Sequence, residues 1–526
     1  METQTCICVP VEDGMDVYTS TQCMDLNQIA IATCLDVPHN SINVYVKRLG
    51  GGYGAKISRS AQVACACALA CHKLNRPVRF VMTIESNMSS IGKRSPTRQE
   101  YEVGVADNGK IQYLNSRHWS AAGAIYNEPL GLAVAFHSGS CYDNATWTRE
   151  GYEARTDTPT NSYCRAPGSA EGIAMIENVM EHIAREIGMD PVDVKLVNMD
   201  PGENNTTRDL IEDLKATADY DTRKKSAASF NSENRWKKKG ISLLPMRYGF
   251  MFYGQFNVLV SIYAHDGTVA ITHGGIESGQ GINTKVAQVA AHTLGIDLDM
   301  ISIKPTNNLT SPNNTLTGGS WTSDSCAYAT MMACKELTKR LEPIKAEMNN
   351  PAWKELIFAA YQKDVDLCAR YMFAASKDDV QSYAIWGCAI GEVEVDLLTG
   401  QHVITRVDLT VDTGVSMSPE VDVGQVEGAF VMGLGYWTSE DLIYDPETGI
   451  LTNNRTWNYK PPGAKDIPAD FRVSFRRNAP NPAGVLRAKT TGEPPLCTSY
   501  VILLAIRDAL NSARADAGNT DKWYNL

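Results

Sequence analysis

Four glycine-rich turns constrain this chain more than any other feature. They are Gly50-Gly51-Gly52-Tyr53-Gly54, Gly274-Gly275-Ile276-Glu277-Ser278-Gly279-Gln280-Gly281, Gly318-Gly319-Ser320 and Gly424-Gln425-Val426-Glu427-Gly428. Each adjoins a strand-like or helical run. Glycine lets the backbone approach a ligand closely and leaves amide N–H groups facing it, and a turn that opens a helix also favours an anion. Any one of these turns reads equally well as an ordinary loop. Lys56 follows Ala55, so the first is neither a phosphate-binding P-loop nor a dinucleotide fingerprint. Gln280 and Gln425 add side-chain amides that both donate and accept, which suits a ring system rich in oxygen and nitrogen. Turns spread this widely imply a large, polar, anionic ligand held between domains.

The chain can enclose such a ligand. At 526 residues it exceeds the usual size of one domain. Helical spacing of apolar residues predicts helices over 60–74, 172–187, 284–294, 324–341 and 498–513, and strands over 42–46, 258–263, 268–272 and 403–411. Strands and helices alternate irregularly, so the expected class is α+β rather than a doubly wound sheet. Residues 200–234 carry Pro201-Gly202, an Asn-Asn-Thr-Thr run and many charges. They read as the weakest stretch for a packed core, which places a domain boundary at their start and gives domains of 1–200 and 201–526.

A net charge of −11 argues against a nucleic-acid partner. The short basic clusters Arg223-Lys224-Lys225 and Lys237-Lys238-Lys239 read as solvated faces. No run reaches the ~18 apolar residues of a spanning helix, and the first residues do not form a signal peptide, so a cytoplasmic location is expected. The 14 cysteines include no Cys-x-x-Cys pair. Cys65, Cys67 and Cys71, with His72, form the densest group and read as small buried thiols in a reducing compartment, not as an iron–sulphur site.

The turns, taken in order, resemble those of the xanthine dehydrogenase and aldehyde oxidase family. Arg48 to Lys56 is similar to that family's Gly-Gly-Gly-Phe-Gly-Gly-Lys loop, and His273 to Gly281 to its pterin-contacting loop. Val423 to Ala429 matches a further loop, and Thr491-Gly492-Glu493-Pro494-Pro495-Leu496 the turn that carries its catalytic glutamate. The matches run from Gln22 to Glu493 and cover essentially the whole chain.

The resemblance implies two large mixed α/β molybdopterin-binding domains with the cofactor between them. The cofactor is molybdopterin in its sulfido form, its molybdenum held by the pterin and not by any side chain. Glu493 is then the general base in oxidation of an aldehyde to a carboxylic acid with water as oxygen source. The residues alone favour a plainer reading, an acidic side chain beside a helix start. By motif, Gln22, Tyr53, Gly54 and a backbone amide at Arg165 lie near the metal, while Gly279, Gln280, Gly318, Gly319, Ser320, Thr322 and Gln425 hold the pterin and its pyrophosphate. Lys489 receives only a positioning role.

Two departures bear on the substrate. Where xanthine dehydrogenases place a purine-binding glutamate after the loop lysine, this chain has Ile57. By spacing, their purine-binding arginine falls at Ala133, about 32 residues before Arg165. Pro167 stands where a stacking phenylalanine is common. The expected pocket is apolar and suited to small aldehydes, and the wording around Arg165 and at Met246-Arg247-Tyr248 looks most like insect aldehyde oxidases. The resemblance further implies a homodimer and electron transfer to [2Fe-2S] and FAD centres in domains or subunits outside this sequence. It implies too that the start of the first molybdopterin domain lies outside this sequence. The chain is accordingly expected to be a fragment, a partial gene product or one subunit of several. The rival reading is a non-catalytic remnant that keeps the fold and dimer surface.

Overall fold

The computed structural model describes residues 1–519 and 523–526. The class is mixed α and β, as expected, and the described strands form four sheets. Each sheet combines antiparallel neighbours with one parallel pair: Gly14–Thr19 beside Ile42–Val46, Ile111–Gly123 beside Trp147–Arg155, Val269–His273 beside Ile301–Ile303, and His402–Val411 beside Asp470–Phe475. Mixed sheets of this kind bury one face against helices and do not form a single doubly wound layer.

Local sequence accounts for most of these elements. Helix Ser60–Leu74 buries Ser60, Val63, Ala64, Cys67, Ala68 and Cys71, a stripe at intervals of three and four residues. It ends at Asn75, whose left-handed φ of 48° closes the last turn. Its stripe lies against strand Thr5–Val11, where Cys6 and Cys8 alternate inward. The two-residue strand Thr306–Asn307 completes this sheet by pairing with Ile42–Val46, so the second half of the chain is stitched to the first.

The cores also cross position 200. Helix Ser169–Ile187 contributes Ala170 and Ile173 to a core shared with Leu244, Ile385 and Val407. Its other side contributes Ile176, Val179 and Met180 to a core shared with Leu243 and Trp386. Residues 200–234 differ from their expected character as a poorly packed stretch. They form helices Thr207–Thr217 and Tyr220–Glu233, and Leu210, Ile211, Leu214 and Tyr220 enter the second of these cores. Three apolar positions on one face of the first helix, with Tyr220 at the start of the second, outweigh the surrounding charge.

The basic clusters depart from the solvated faces expected of them. Lys238 is fully buried, and its Nζ donates to Asp516 Oδ2 at 2.5 Å and to the Asn231 carbonyl at 2.6 Å. Arg223 joins Glu392 at 2.8 Å and Asp408 at 2.7 Å. Lys238 lies on strand Lys237–Phe250, which among the described residues pairs with Tyr383–Asp396 alone and so forms a sheet edge. The edge position tolerates Pro245, which has no amide to give a further strand. Along this strand Met246, Tyr248 and Phe250 alternate inward, toward the cavity and its supporting core.

Candidate active site

One cavity of about 3070 Å³ opens between the two halves of the chain. All fifteen positions singled out above as cofactor-binding, substrate-lining or catalytic border it, from Gln22 to Glu493. Loops near residues 22, 53, 165, 279, 318, 425 and 493 therefore converge although they are far apart in sequence.

The glutamines act differently from the expectation drawn for their amides. Gln22 Oε1 accepts from the Gly54 amide at 3.0 Å, and its Nε2 donates to the Thr317 carbonyl at 2.8 Å. Gly52 makes this possible: a Cβ there would sit 2.5 Å from Gln22 Oε1. Gln280 Oε1 accepts from the Ser278 amide at 2.7 Å, and its Nε2 donates to the Ile276 carbonyl at 2.7 Å. Both side chains thus hold their loops in shape instead of pointing freely into the cavity. Gln425 bridges loops in the same way, donating to the Gly279 carbonyl at 3.3 Å and accepting from Arg165 Nη2 at 3.0 Å.

Several glycines leave open space along the cavity wall. Gly279 has φ +103°, and a Cβ at Gly279, Gly424 or Gly428 would meet no atom within 4 Å. These are open glycine edges on the cavity wall. Gly318, Gly319 and Ser320 lead into the 26-residue helix Thr322–Glu347, whose N-terminal dipole faces the same space. Thr322 Oγ1 accepts from the Gly318 amide at 3.3 Å. In the same turn the buried Trp321 Nε1 has no partner. An unpaired buried donor, open glycine edges and a helix N-terminus together fit an anionic pterin cofactor.

Arg165 organises the reacting end through its side chain. Nε donates to the Gly492 carbonyl at 2.6 Å and Nη2 to the Gln425 carbonyl at 3.2 Å. Its own amide, expected near a metal, donates instead to the Tyr53 carbonyl at 2.8 Å. Tyr53 itself stands at φ 52° on an exposed turn, with its ring 6.0 Å from the Arg165 guanidinium.

Glu493 precedes helix Pro494–Thr498 and is half-buried on the cavity wall. Burial raises its carboxyl pKa, while the Tyr248 hydroxyl, the Ala166 amide and the Arg165 guanidinium pull it back. Tyr248 donates to Glu493 Oε2, and its own hydroxyl stays protonated because burial and the neighbouring carboxylate push it well above its ordinary value. The His137 ring lies 5.6 Å from the Tyr248 ring and is held neutral, its pKa lowered to about 4 by burial and then by Arg247. Reading the sequence gave Tyr248 no role; its inward alternation with Met246 and Phe250 was the available signal.

Removing this donor should be visible in a pH profile. A hydrogen bond to the charged carboxylate favours that form, so Tyr248→Phe raises the Glu493 pKa further. The acidic limb of kcat/KM is expected to move to higher pH by about 1–2 units, the equivalent of ~1.5–3 kcal/mol. A limb that stays in place while activity falls uniformly would assign Tyr248 to packing alone.

Ile57, Ala133 and Pro167 all border the cavity. Ile57 is buried, Ala133 lies on helix Gly131–His137, and the exposed Leu132 and Phe136 of that helix extend the apolar wall. Ala133 packs so closely on Gly168 that a Cβ at 168 would lie 2.6 Å away. Beside the turn that carries Glu493, Asp422 joins Lys285 at 2.9 Å and accepts from Ser416 at 2.6 Å and Thr491 at 2.9 Å. This buried knot was not anticipated either. Lys489 reaches Asp412 at 2.7 Å and the Ala384 carbonyl at 2.7 Å, a positioning arrangement.

The molybdopterin cofactor-binding domain family matches this chain twice, over residues 1–199 and 213–468. The chain belongs to the molybdopterin cofactor-binding domain family. Its molybdopterin region is 36% identical to the xanthine dehydrogenase/oxidase of Gallus gallus over 550 residues, covering 99% of this chain and 40% of that protein. It is 37% identical to the xanthine dehydrogenase/oxidase of Felis catus, covering 99% and 41%. The chain thus spans about two-fifths of the length of these curated relatives. Among solved structures, the aldehyde oxidoreductase from Desulfovibrio gigas superposes with a TM-score of 0.84 at 22% identity, covering 98% of this chain and 57% of that one. The quinoline 2-oxidoreductase from Pseudomonas putida 86 gives 0.86 at 20%, covering 98% and 72%. These two show the shared fold. The cofactor of this molybdopterin region is molybdopterin carrying molybdenum. Among the described residues no helix is long and apolar enough to cross a membrane.

Proposed function

We propose that this molybdopterin region oxidises small apolar aldehydes to carboxylic acids. The observation that carries the reading is Glu493, a carboxylate with a raised pKa on a cavity whose lining has the apolar Ile57, Ala133 and Pro167 at the positions expected to meet substrate. Bound molybdopterin supplies the two-electron oxidation, with the added oxygen drawn from water. The chain's own residues do the rest. Glu493 accepts a proton at its carboxylate, and Tyr248 and the Ala166 amide fix the orientation of that carboxylate. Arg165 locks the turn before Glu493 to the helix that carries Gln425. The open edges at Gly279 and Gly424 and the turn from Gly318 to Thr322 seat the pterin and its pyrophosphate, near Gln22, Tyr53 and Gly54.

The two modules, 1–200 and 201–526, are proposed to act as one unit around the cofactor. Electrons are proposed to leave for [2Fe-2S] and FAD centres on other domains or subunits, within a cytoplasmic homodimer.

Apolar side chains at 57 and 133 leave polar edges of a purine unpaired. Each unmet group costs ~1–3 kcal/mol, so aldehydes should exceed xanthine by roughly 100-fold or more in kcat/KM. The test measures molybdenum content of the purified chain, then turnover of an aliphatic aldehyde and of xanthine with an artificial electron acceptor. Ile57→Glu with Ala133→Arg should lower aldehyde turnover and narrow the preference. Comparable xanthine turnover by the unaltered chain would replace the reading with purine hydroxylation, the activity named in the curated relatives. A chain that retains no molybdenum would support the non-catalytic remnant.

A further inference from the structure

Away from the cavity, three thiols converge in the core beneath the five-stranded sheet. Cys6 and Cys8 stand two residues apart on strand Thr5–Val11 and so face the same side. Cys67 reaches them from helix Ser60–Leu74. The three Sγ atoms lie within 4.8 Å of one another, with Cys6 and Cys8 3.6 Å apart. All three residues are at most 1% exposed, and Met15, Val17, Val44, Ala64 and Ala68 line the surroundings. None of them borders the cofactor cavity.

The geometry discriminates among metals. With metal–sulphur bonds of ~2.3 Å, the sulphurs of a planar three-coordinate site lie ~4.0 Å apart, within the observed spread. Structural zinc needs a fourth ligand, yet no histidine or carboxylate completes the group among the described residues. Soft thiolates without an oxygen or nitrogen ligand select a soft monovalent ion. We propose that Cys6, Cys8 and Cys67 form a three-thiolate site for one Cu(I) ion, separate from molybdopterin.

Cu(I) entry displaces the thiol protons to solvent without any redox change.

The test uses the full chain with Cys23, Cys34, Cys65, Cys164 and Cys368 replaced by serine, which removes the exposed and half-buried thiols. Cu(I) is titrated without oxygen against a colorimetric Cu(I) chelator. One equivalent per chain should be withheld from the chelator, with a sulphur-to-copper ultraviolet band and three sulphur neighbours by X-ray absorption. Cys67→Ala should lose that equivalent, and so should Cys8→Ala; Cys71→Ala, one helical turn beyond the group, should retain it. Unfolding midpoints of each variant separate loss of the site from loss of the fold. The two single variants share every other thiol and any bound dithiolene, so the difference isolates this triad. Failure to withhold Cu(I) would overturn the proposal, as would equal uptake by parent, Cys67→Ala and Cys8→Ala.

Discussion

Glu493→Gln is expected to lower aldehyde turnover by about 10²–10⁴-fold, the usual contribution of a positioned general base, with molybdenum content unchanged. The substitution keeps side-chain size, and the new amide oxygen can still accept from Tyr248. What it loses is basicity. A carboxylate whose pKa is raised by burial is a better proton acceptor than an ordinary one, whereas an amide does not accept a proton. The fold should tolerate the change, because removing a partly buried charge relieves desolvation and leaves the Arg165 bond to the Gly492 carbonyl intact. Metal analysis and single-turnover reduction by aldehyde provide the check. Loss of molybdenum in parallel with activity would make Glu493 a structural residue and remove the main support for the aldehyde reading.

The parts of this site that could be read from sequence are those carried by backbone and local spacing. Glycine turns announce themselves because few other residues accept φ +103° at Gly279 or the contact Gly52 makes with Gln22. Helix Ser60–Leu74 was legible to the residue because its apolar stripe and terminal Asn75 are local signals. Roles that depend on a distant partner were not legible. Tyr248 finds Glu493 245 residues away, and Lys238 finds Asp516 at a separation of 278. A lysine in a basic triplet looks solvated until a carboxylate is brought to it by folding. Gln280 shows the converse: its amide suggested a ligand contact, yet Ser278 and Ile276, its own neighbours, engage both ends. The poorly packed character assigned to residues 200–234 came from averaging over charges, which hid Leu210, Ile211 and Leu214 on one face.

Asp422→Ala is expected to destabilise the chain by about 3–5 kcal/mol, the cost of leaving a buried partner charge uncompensated. Asp422 is 1% exposed, and Lys285, 137 residues away, lies against it nearly as deeply buried. Three segments meet on this one carboxylate: the helix after the Gly279 turn through Lys285, the turn before Glu493 through Thr491, and the approach to helix Pro419–Thr438 through Ser416. Its loss should therefore also reduce retained molybdenum, because the edges proposed to seat the pterin lose their common anchor. Asp422→Asn keeps the volume but not the charge and should fall between parent and Asp422→Ala. Combining Asp422→Ala with Lys285→Met is the discriminating step, since it removes the stranded ammonium and should recover most of the lost stability. Denaturant unfolding of the four chains measures the coupling. If the double variant is as unstable as the sum of the single changes, the ion pair carries no special weight and Asp422 acts only through Ser416 and Thr491. Recovery of stability without recovery of molybdenum would mean that the charge itself, rather than the packing around it, holds the cofactor loops in register.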